Sequence, residues 1–444
     1  MNVVVAPATP WGHSALAVVR FSGDELEALL YAFVKPFSGK TFRKNRPQRV
    51  YLYDDEGTFD DGVLVFSEAP QTYTGEHTAE ITSHGNPQIV ERLLAIAVRS
   101  GARMAQPGEF TRRAVQHGKM DLVRAEAVLH VSEAATKRGL AIGRAAMGGE
   151  LSAFIADSQQ TLASITAEYE ARLDYPADEL AYRTDDDLTS ELTSLAEQCR
   201  ELARSYETGK LWVHGARIAL VGAVNAGKSS LFNQLLGQRR ALVHDQPGTT
   251  RDVVESKTIL DGMAVTLLDT AGERRTDDPV EAAGLALARG LIDEADLLVI
   301  VLRANPQGVS SAEREILDRT QTTPRVIVYN GVDREGCLPA PEEAIETVAL
   351  TGAGVPELRR RIRHTLVGDE AGEAKLVIAS ARQRDLLLEV ARILEESLEA
   401  LPIAGVAVAA DALTRALEEL MSITGDNPRE AVLDALFERF CIGK

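Results

Sequence analysis

The sequence predicts a multidomain fold of mixed α+β and α/β class, and three observations support this prediction. Residues 1–119 alternate short apolar runs with turns rich in glycine and proline, which indicates a compact α+β domain. Residues 120–215 and 369–444 carry apolar side chains at three- and four-residue spacing, which indicates amphipathic helices. Residues 216–368 alternate strand-like with helix-like segments, which indicates a mostly parallel sheet covered by helices.

Each region supplies definite elements. The first contains a helical pattern at Pro87–Ser100 and strand candidates at Ala15–Phe21, Gly62–Phe66 and Ala79–Ser83. The two helical regions have no evident cover for their apolar faces, so we expect them to pack together with the α/β domain inserted between them. In that inserted domain the expected strands are Arg217–Val221, Ala264–Leu268, Leu297–Leu302, Val326–Tyr329 and Thr347–Leu350.

The composition argues against a membrane protein and against a disulfide-stabilised secreted domain. Hydrophobic residues make up 45% of the chain and charged residues 26%, and no apolar run approaches the ~18 residues that suggest a membrane span. The start lacks the pattern of a secretory signal. The three cysteines, Cys199, Cys337 and Cys441, are scattered, which fits a reducing compartment. We therefore expect a cytoplasmic protein with no membrane partner.

The formal charge of −18 argues against nucleic-acid binding through one dominant basic surface. Residues 1–120 contain 13 Lys+Arg and 13 Asp+Glu, whereas the rest of the chain contains 35 and 53. The acidity therefore lies outside the N-terminal region, and we expect any RNA contact to favour that region.

The strongest chemical signal is the segment Gly222-Ala-Val-Asn-Ala-Gly227-Lys228-Ser229, which follows an apolar strand pattern and precedes a helical one. Glycines let backbone N–H groups surround phosphate oxygens, Lys228 neutralises phosphate charge, and the Ser229 hydroxyl can coordinate Mg²⁺. The segment predicts a nucleotide phosphate site at Asn225, Ala226, Gly227, Lys228, Ser229 and Ser230.

Two further segments have the order and spacing of a nucleotide switch. Asp269-Thr-Ala-Gly272 ends a strand pattern, which places a carboxylate near Mg²⁺ and a glycine near the terminal phosphate. Pro247–Asp252 contains Thr250, which can supply a second hydroxyl to Mg²⁺, although alone this segment could equally be a turn before an edge strand. The nucleotide-binding residues expected in these two segments are Asp269, Thr270, Ala271, Gly272, Pro247, Gly248, Thr249 and Thr250.

The segment Asn330-Gly-Val-Asp333 is the candidate for base selection, because one carboxylate can accept both N–H groups of the guanine edge. Val348 and Ala349 are expected beside it. GTP-binding domains usually carry lysine at position 331, where its stem covers the base, and serine-alanine at 348–349. The glycine at 331 leaves a P-loop ATPase open, whereas Asp333 favours GTP.

Over nearly its whole length the chain resembles the tRNA modification GTPase MnmE family, also called TrmE. The motifs that carry the resemblance are Tyr73-Thr-Gly-Glu76, Gln106-Pro-Gly-Glu-Phe-Thr111, Gly118-Lys-Met-Asp-Leu122, Leu173-Asp-Tyr-Pro176 and the final Cys441-Ile-Gly-Lys444. The resemblance implies a folate-binding and dimerisation domain at 1–119, a helical domain at 120–215 and 369–444, and an inserted Ras-like P-loop GTPase domain at 216–368. It also implies a homodimer that binds tRNA and forms a heterotetramer with the FAD-dependent protein MnmG.

The resemblance further implies a chemistry and a set of site residues. The implied reaction adds a carboxymethylaminomethyl or aminomethyl group at C5 of the wobble uridine, using 5-formyl- or methylene-tetrahydrofolate. The implied ions are Mg²⁺ at Ser229 and Thr250 and K⁺ at Asn225, His244, Gln246 and Thr249. The implied nucleotide site also includes His244, Asp245 and Gln246. Glu281 matches the glutamate that orients the attacking water, and Cys441 lies near the implied modification site. The implied folate-binding residues are Arg20, Glu80, Lys119 and Lys444.

Some interpretations stay open at this point. A ribosome-assembly or signalling GTPase would carry the same phosphate loop, but it has no use for the N-terminal domain or for the final Cys-Ile-Gly-Lys. By residue type alone, Cys441 would be a buried apolar residue after two phenylalanines. His84 could contribute to the folate site, but a structural histidine is the favoured interpretation.

Overall fold

The computed structural model describes residues 2–175, 183–237, 254–269, 294–368, 376–426 and 430–444. The chain forms two compact units. The first unit comprises Met1–Leu129, Met147–Tyr182 and Ile403–Lys444, and the second comprises His130–Ala146 and Arg183–Pro402. No helix among the described residues combines the length and the apolar character needed to cross a bilayer.

The first unit contains a sheet whose described strands run in the order β3-β4-β5-β6-β2-β1-β7. Neighbouring strands are antiparallel except for β1 and β7, which are parallel. The strands are β1 Val4–Pro7, β2 Leu16–Ser22, β3 Val34–Pro36, β4 Pro47–Asp54, β5 Gly57–Ser67, β6 Thr78–His84 and β7 Arg103–Met104. The three strands expected from the apolar runs are confirmed as β2, β5 and β6.

Three short helices accompany this sheet at α1 Leu26–Leu30, α2 Pro87–Arg99 and α3 Glu109–Gln116. The helix expected at Pro87–Ser100 is confirmed as α2. The Asn86 side chain accepts a hydrogen bond from the Gln88 N–H and proline occupies the first turn, so the start of α2 is set by local sequence. The helix buries Leu93 and Ala97 in the same core as Phe21 and Ile81 of the sheet.

Long helices complete the first unit. Helix α6 (Glu150–Asp174) packs against α13 (Val406–Thr424), and α14 (Glu430–Phe437) contacts α3. The α6 side chains Leu151, Ile155, Leu162 and Ile165 are buried at helical spacing. The expectation that the two helical regions pack together is therefore confirmed in this unit. Helix α4 (Leu122–Glu133) runs across the boundary between the units, and α5 (Lys137–Gly148) belongs mostly to the second unit.

The second unit contains a sheet whose described strands run in the order β13-β12-β11-β8-β10-β9. All neighbours are parallel except β9 and β10. Strand β11 is buried on both faces, as its unbroken apolar run requires. The strands are β8 Ala216–Gly222, β9 Val254–Leu260, β10 Met263–Asp269, β11 Leu297–Arg303, β12 Arg325–Asn330 and β13 Ile345–Thr347.

The expected strand at Thr347–Leu350 is displaced. The observed strand β13 ends at Thr347, and Val348 accepts hydrogen bonds from the N–H groups of Thr351 and Gly352. The turn that follows contains two glycines with positive φ, Gly352 and Gly354. Leu350 is consequently 83% exposed, although its apolar side chain suggested a buried strand position.

The helices of the second unit are α7 Asp185–Arg204, α8 Tyr206–His214, α9 Lys228–Leu236, α10 Ser311–Arg319, α11 Val355–Val367 and α12 Ala381–Ala404, which ends just past the unit boundary. Arg200 of α7 forms an ion pair with Glu395 of α12. The helical regions before and after the α/β sheet therefore also meet in this unit. The boundaries expected for separate domains remain predictions.

Candidate functional site

The predicted phosphate loop lies at the carboxyl end of the central strand β8, between that strand and α9. Beyond the loop, the chain first adds β9 and β10 on one side of β8 and then places β11 on its other side. Ligands of open α/β sheets bind in the crevice at such a reversal of strand order. The position of the loop therefore agrees with a nucleotide site.

The backbone of the loop depends on two glycines. Gly227 precedes α9 with φ 96°, and a Cβ there would lie 2.1 Å from Nδ2 of Asn330. A Cβ on Gly222 would lie 2.3 Å from the carbonyl oxygen of Val301 in β11. Asn225 also takes positive φ, at 62°, a conformation that asparagine tolerates better than most residues. The loop conformation is therefore specified by these residue types.

Positive charge converges on the inside of the loop. The Lys228 ammonium donates hydrogen bonds to the carbonyl oxygens of Gly222 (2.8 Å) and Ala223 (2.9 Å), so its side chain folds back over the loop. The first turn of α9 adds N–H groups that have no partner within the helix. Ser229 and Ser230 are exposed at this helix end. The arrangement fits a phosphate chain, and the exposed Ser229 hydroxyl could coordinate Mg²⁺ beside it.

Asn330 connects the phosphate loop to the expected base-recognition segments. Its buried side chain donates a 2.9 Å hydrogen bond to the Ala226 carbonyl oxygen. Its own oxygen accepts from the Thr347 hydroxyl (3.2 Å) and from the Ala349 N–H (2.9 Å). Through these three hydrogen bonds Asn330 links the phosphate loop to the segment around Ala349. Asp333, on the same loop as Asn330, is exposed. Val348 and Ala349 are largely buried beside it.

Several expected site residues lie outside the described residues. They are His244, Asp245, Gln246, Pro247, Gly248, Thr249, Thr250, Thr270, Ala271, Gly272 and Glu281. The backbone of Asp269 is described: it ends β10 and pairs with Leu220 of β8, next to the start of the phosphate loop. The expected Mg²⁺ and K⁺ ligands within the described part of the chain are therefore Ser229 and Asn225.

A second candidate site lies in the first unit, where Arg20 and Glu80 face each other across β2 and β6. The Arg20 guanidinium contacts Oε1 of Glu80 at 2.9 Å through both Nε and Nη2. Its Nη1 donates a 3.0 Å hydrogen bond to the Gly443 carbonyl oxygen, and the group lies 5.7 Å from the centre of the Phe110 ring. The structure therefore brings Arg20 and Glu80 together with the segment that precedes Lys444.

The C-terminal turn, defined as Cys441–Lys444, is held close to β1. Gly443 has φ 97°, and a Cβ there would lie 2.3 Å from the Pro7 carbonyl oxygen. The Lys444 N–H donates to the Cys441 carbonyl oxygen and closes the turn. The Cys441 side chain is exposed, so its interpretation as a buried apolar residue is wrong; Phe437 and Phe440 are the residues that fill the core.

Lys119 and His84 have other partners. The Lys119 ammonium donates a 2.8 Å hydrogen bond to the Pro70 carbonyl oxygen. His84 contacts Asp60 through its ring (2.7 Å) and its backbone N–H (3.1 Å). The hydrogen bond and the charge of Asp60 raise the pKa of His84 above its usual 6.5. These contacts support the structural interpretation of His84.

Two residues at the second site were not among the expected site residues. The hydroxyls of Tyr73 and Thr111 lie 2.9 Å apart. Burial raises the pKa of the Tyr73 phenol, while the hydrogen bond with Thr111 and the charge of Arg20 act in the opposite direction. Both residues fall in motifs that carry the family resemblance, and this was the signal in the sequence that could have identified them.

Two glutamates of those motifs, Glu76 and Glu109, have a structural role as partners of Arg113. Arg113 is buried and pairs with Glu76 at 2.7 Å and with Glu109 at 3.0 Å. Glu109 also accepts from the Gln106 N–H at the start of α3. These pairs line a cavity of about 720 Å³, but their charges are already neutralised by one another.

Comparison with known proteins gives two family matches that together cover most of the chain. The chain matches the family model of the MnmE helical domain over residues 122–441 and that of the GTP-binding protein TrmE N-terminus over residues 3–119. It is 36% identical to the tRNA modification GTPase MnmE of Aquifex aeolicus, covering 99% of each chain. It is 37% identical to the tRNA modification GTPase MnmE of Myxococcus xanthus, covering 99% of this chain and 98% of the relative.

Proposed function

Because the chain belongs to the MnmE family of tRNA modification GTPases, we propose that it couples GTP hydrolysis to a covalent change at the wobble uridine of tRNA. The proposed product carries a carboxymethylaminomethyl or aminomethyl group at C5, with the added carbon taken from a tetrahydrofolate one-carbon unit. The observation that carries this proposal is that Arg20, itself paired with Glu80, binds the C-terminal turn in a chain that also has a phosphate loop. A pure nucleotide switch has no use for such a site.

The nucleotide half of the proposal rests on the loop geometry. Lys228 and the N-terminus of α9 would bind the phosphates, and Ser229 would hold Mg²⁺. We propose K⁺ as the activating cation, with Asn225 as one ligand because this exposed loop residue follows the strand that ends beside the phosphates. A bound cation there would supply the transition-state charge that other GTPases take from an arginine finger.

The part of the proposal that concerns the modification reaction involves the second site, around Arg20 and Glu80. Arg20, Glu80, Lys119 and Lys444 would bind the folate, whose pterin edge and glutamate tail offer both hydrogen-bonding groups and negative charge. Glu80, at 2.9 Å, partly neutralises the charge of Arg20. An anionic group of the folate would therefore share the Arg20 guanidinium with the Glu80 carboxylate. The exposed thiol of Cys441 lies next to this site in the turn. We propose a homodimer in the cytoplasm that works in a heterotetramer with the FAD-dependent MnmG.

The test is nucleoside mass spectrometry of tRNA from a strain that lacks the gene. We expect the C5-modified wobble uridines to disappear and to return on complementation with the wild-type gene. A Lys228→Ala gene should fail to restore them, whereas a control Arg314→Ala gene should restore them. Unchanged wobble uridines in the deletion strain would refute the modification.

A separate measurement tests the cation. Purified protein should hydrolyse GTP faster in KCl than in NaCl at equal ionic strength, and Asn225→Ala should remove most of that difference. Equal rates in the two salts would contradict the role given to Asn225.

A further inference from the structure

We propose that the guanidinium of Arg334 covers one face of the nucleobase, in place of the side chain that position 331 lacks. The inference rests on the proposed function, because it concerns the base of the same bound GTP. It adds a residue outside the segment Asn330–Asp333 to base recognition.

The first observation is the space above Gly331. This residue is buried in the loop after β12, with φ 87°, and its N–H donates a 2.7 Å hydrogen bond to the Thr347 carbonyl oxygen. A Cβ built on Gly331 would lie 3.1 Å from Nε, 3.3 Å from Cζ and 3.5 Å from Nη2 of Arg334. The guanidinium therefore lies in contact with the place where a side chain at position 331 would begin. That is the place from which the lysine of other GTP-binding domains extends over the base.

The second observation is how Arg334 is held. Its backbone N–H donates a 3.2 Å hydrogen bond to the Gly331 carbonyl oxygen, which closes a turn and returns the chain toward Gly331. The same loop is anchored to the phosphate loop through Asn330 and Ala226. The backbone of Arg334 is thus fixed relative to the site where phosphates would bind.

The third observation concerns charge. Arg334 is exposed, and within the described ranges its guanidinium forms no hydrogen bond or ion pair with another side chain. No carboxylate in those ranges therefore neutralises the positive charge of Arg334 through an ion pair. A guanidinium is planar and weakly hydrated, and it stacks on heteroaromatic rings while keeping its edge in water. A purine whose edge meets Asp333 would present such a ring.

The experiment measures equilibrium binding of GDP to the full chain in Mg²⁺, with Arg314→Ala as the matched control because Arg314 is another exposed arginine of the same unit. We expect Arg334→Ala to weaken GDP binding about tenfold, since removal of a group stacked on a base has an effect of that order. Arg314→Ala should leave it unchanged.

A second readout separates stacking from edge recognition. Inosine diphosphate lacks the amino group of guanine, so the ratio of GDP to IDP affinity reports contacts at the base edge. Arg334→Ala should lower both affinities and keep the ratio, whereas Asp333→Ala should lower the ratio. Equal GDP binding by wild type and Arg334→Ala, or a changed ratio in Arg334→Ala, would overturn the inference alone. Failure of the wild-type chain to bind GDP would overturn the proposed function.

Discussion

The phosphate loop of the second unit and the C-terminal turn of the first unit both depend on a glycine that lets two backbone segments or a side chain approach closely. A Cβ at Gly227 would lie 2.1 Å from the Asn330 side chain, and a Cβ at Gly443 would lie 2.3 Å from the Pro7 carbonyl oxygen. The phosphate-binding residues Gly222–Ser229 form one continuous segment, which Asn330 anchors through Ala226, 104 positions away, whereas Arg20, which binds Gly443, lies 423 positions away in the sequence. The comparison separates a site whose ligand-binding residues are contiguous in the sequence from one whose residues are all brought together by the fold.

The largest effect is expected for Gly227→Ala. Alanine at φ 96° is strained, and its Cβ would push Asn330 away from the loop. GDP affinity should fall by about 100-fold, which corresponds to about 2.7 kcal/mol. The measurement is titration calorimetry. An alanine variant that binds GDP normally would show that the loop tolerates a Cβ and would weaken the comparison.

The next effect is expected for Asn330→Ala. The substitution leaves the Ala226 carbonyl and the Ala349 N–H without their buried partner, which should lower the free energy of unfolding by about 1–3 kcal/mol. Urea denaturation measures this loss. The exposed Asn233→Ala on α9 serves as the control and should change stability by less than about 0.5 kcal/mol. A loss no larger than that of the control would show that Asn330 does not organise the site.

A smaller and more local effect is expected for Gly443→Ala and Arg20→Ala. Both should release the C-terminal turn and speed amide hydrogen exchange at its residues, while basal GDP affinity stays unchanged. The Arg20–Glu80 pair is partly exposed, so global stability should fall by no more than about 1 kcal/mol. Unaltered exchange in both variants would contradict the role of Gly443 and Arg20 in holding the turn.

The smallest effect concerns His84. Its pKa is raised by Asp60, so its contribution to stability is present below the unfolded-state pKa near 6.5 and is lost as pH rises through the folded-state pKa. An NMR titration of the His84 ring should give a pKa above 6.5 in the wild type and a lower one in Asp60→Asn. The same pKa in both proteins would show that Asp60 is not the cause.

Much of the fold followed from sequence pattern because its elements are local. The apolar run Leu297–Leu302 is a strand buried on both faces, and the helical pattern that begins at Pro87 is helix α2. The strand expected at Thr347–Leu350 ends at Thr347, because a turn that contains Gly352 and Gly354 begins at Val348. The apolar Leu350 lies in that turn and not in the strand. The phosphate loop was recognised since its glycines, lysine and serine lie within one short segment.

The second site shows the limit of local reasoning. The expectation that Arg20, Glu80 and the C-terminal residues belong together came from family resemblance, because no spacing rule joins positions so distant in sequence. Burial was similarly hard to assign at Cys441, where two neighbouring phenylalanines fill the core and leave the thiol exposed. Tyr73, in the loop between β5 and β6, meets Thr111 of α3 only in the folded chain, and a linear pattern does not contain this contact.

The single amide of Asn330 has a consequence for nucleotide choice. It bonds to the backbone on both sides, at Ala226 and at Ala349, so the regions that would recognise phosphates and base cannot shift independently. A nucleotide with an ill-fitting base would displace Ala349, and the strain would reach the loop that holds its phosphates. Discrimination among nucleotides would then affect the rate of hydrolysis as well as the fraction of protein that has a nucleotide bound.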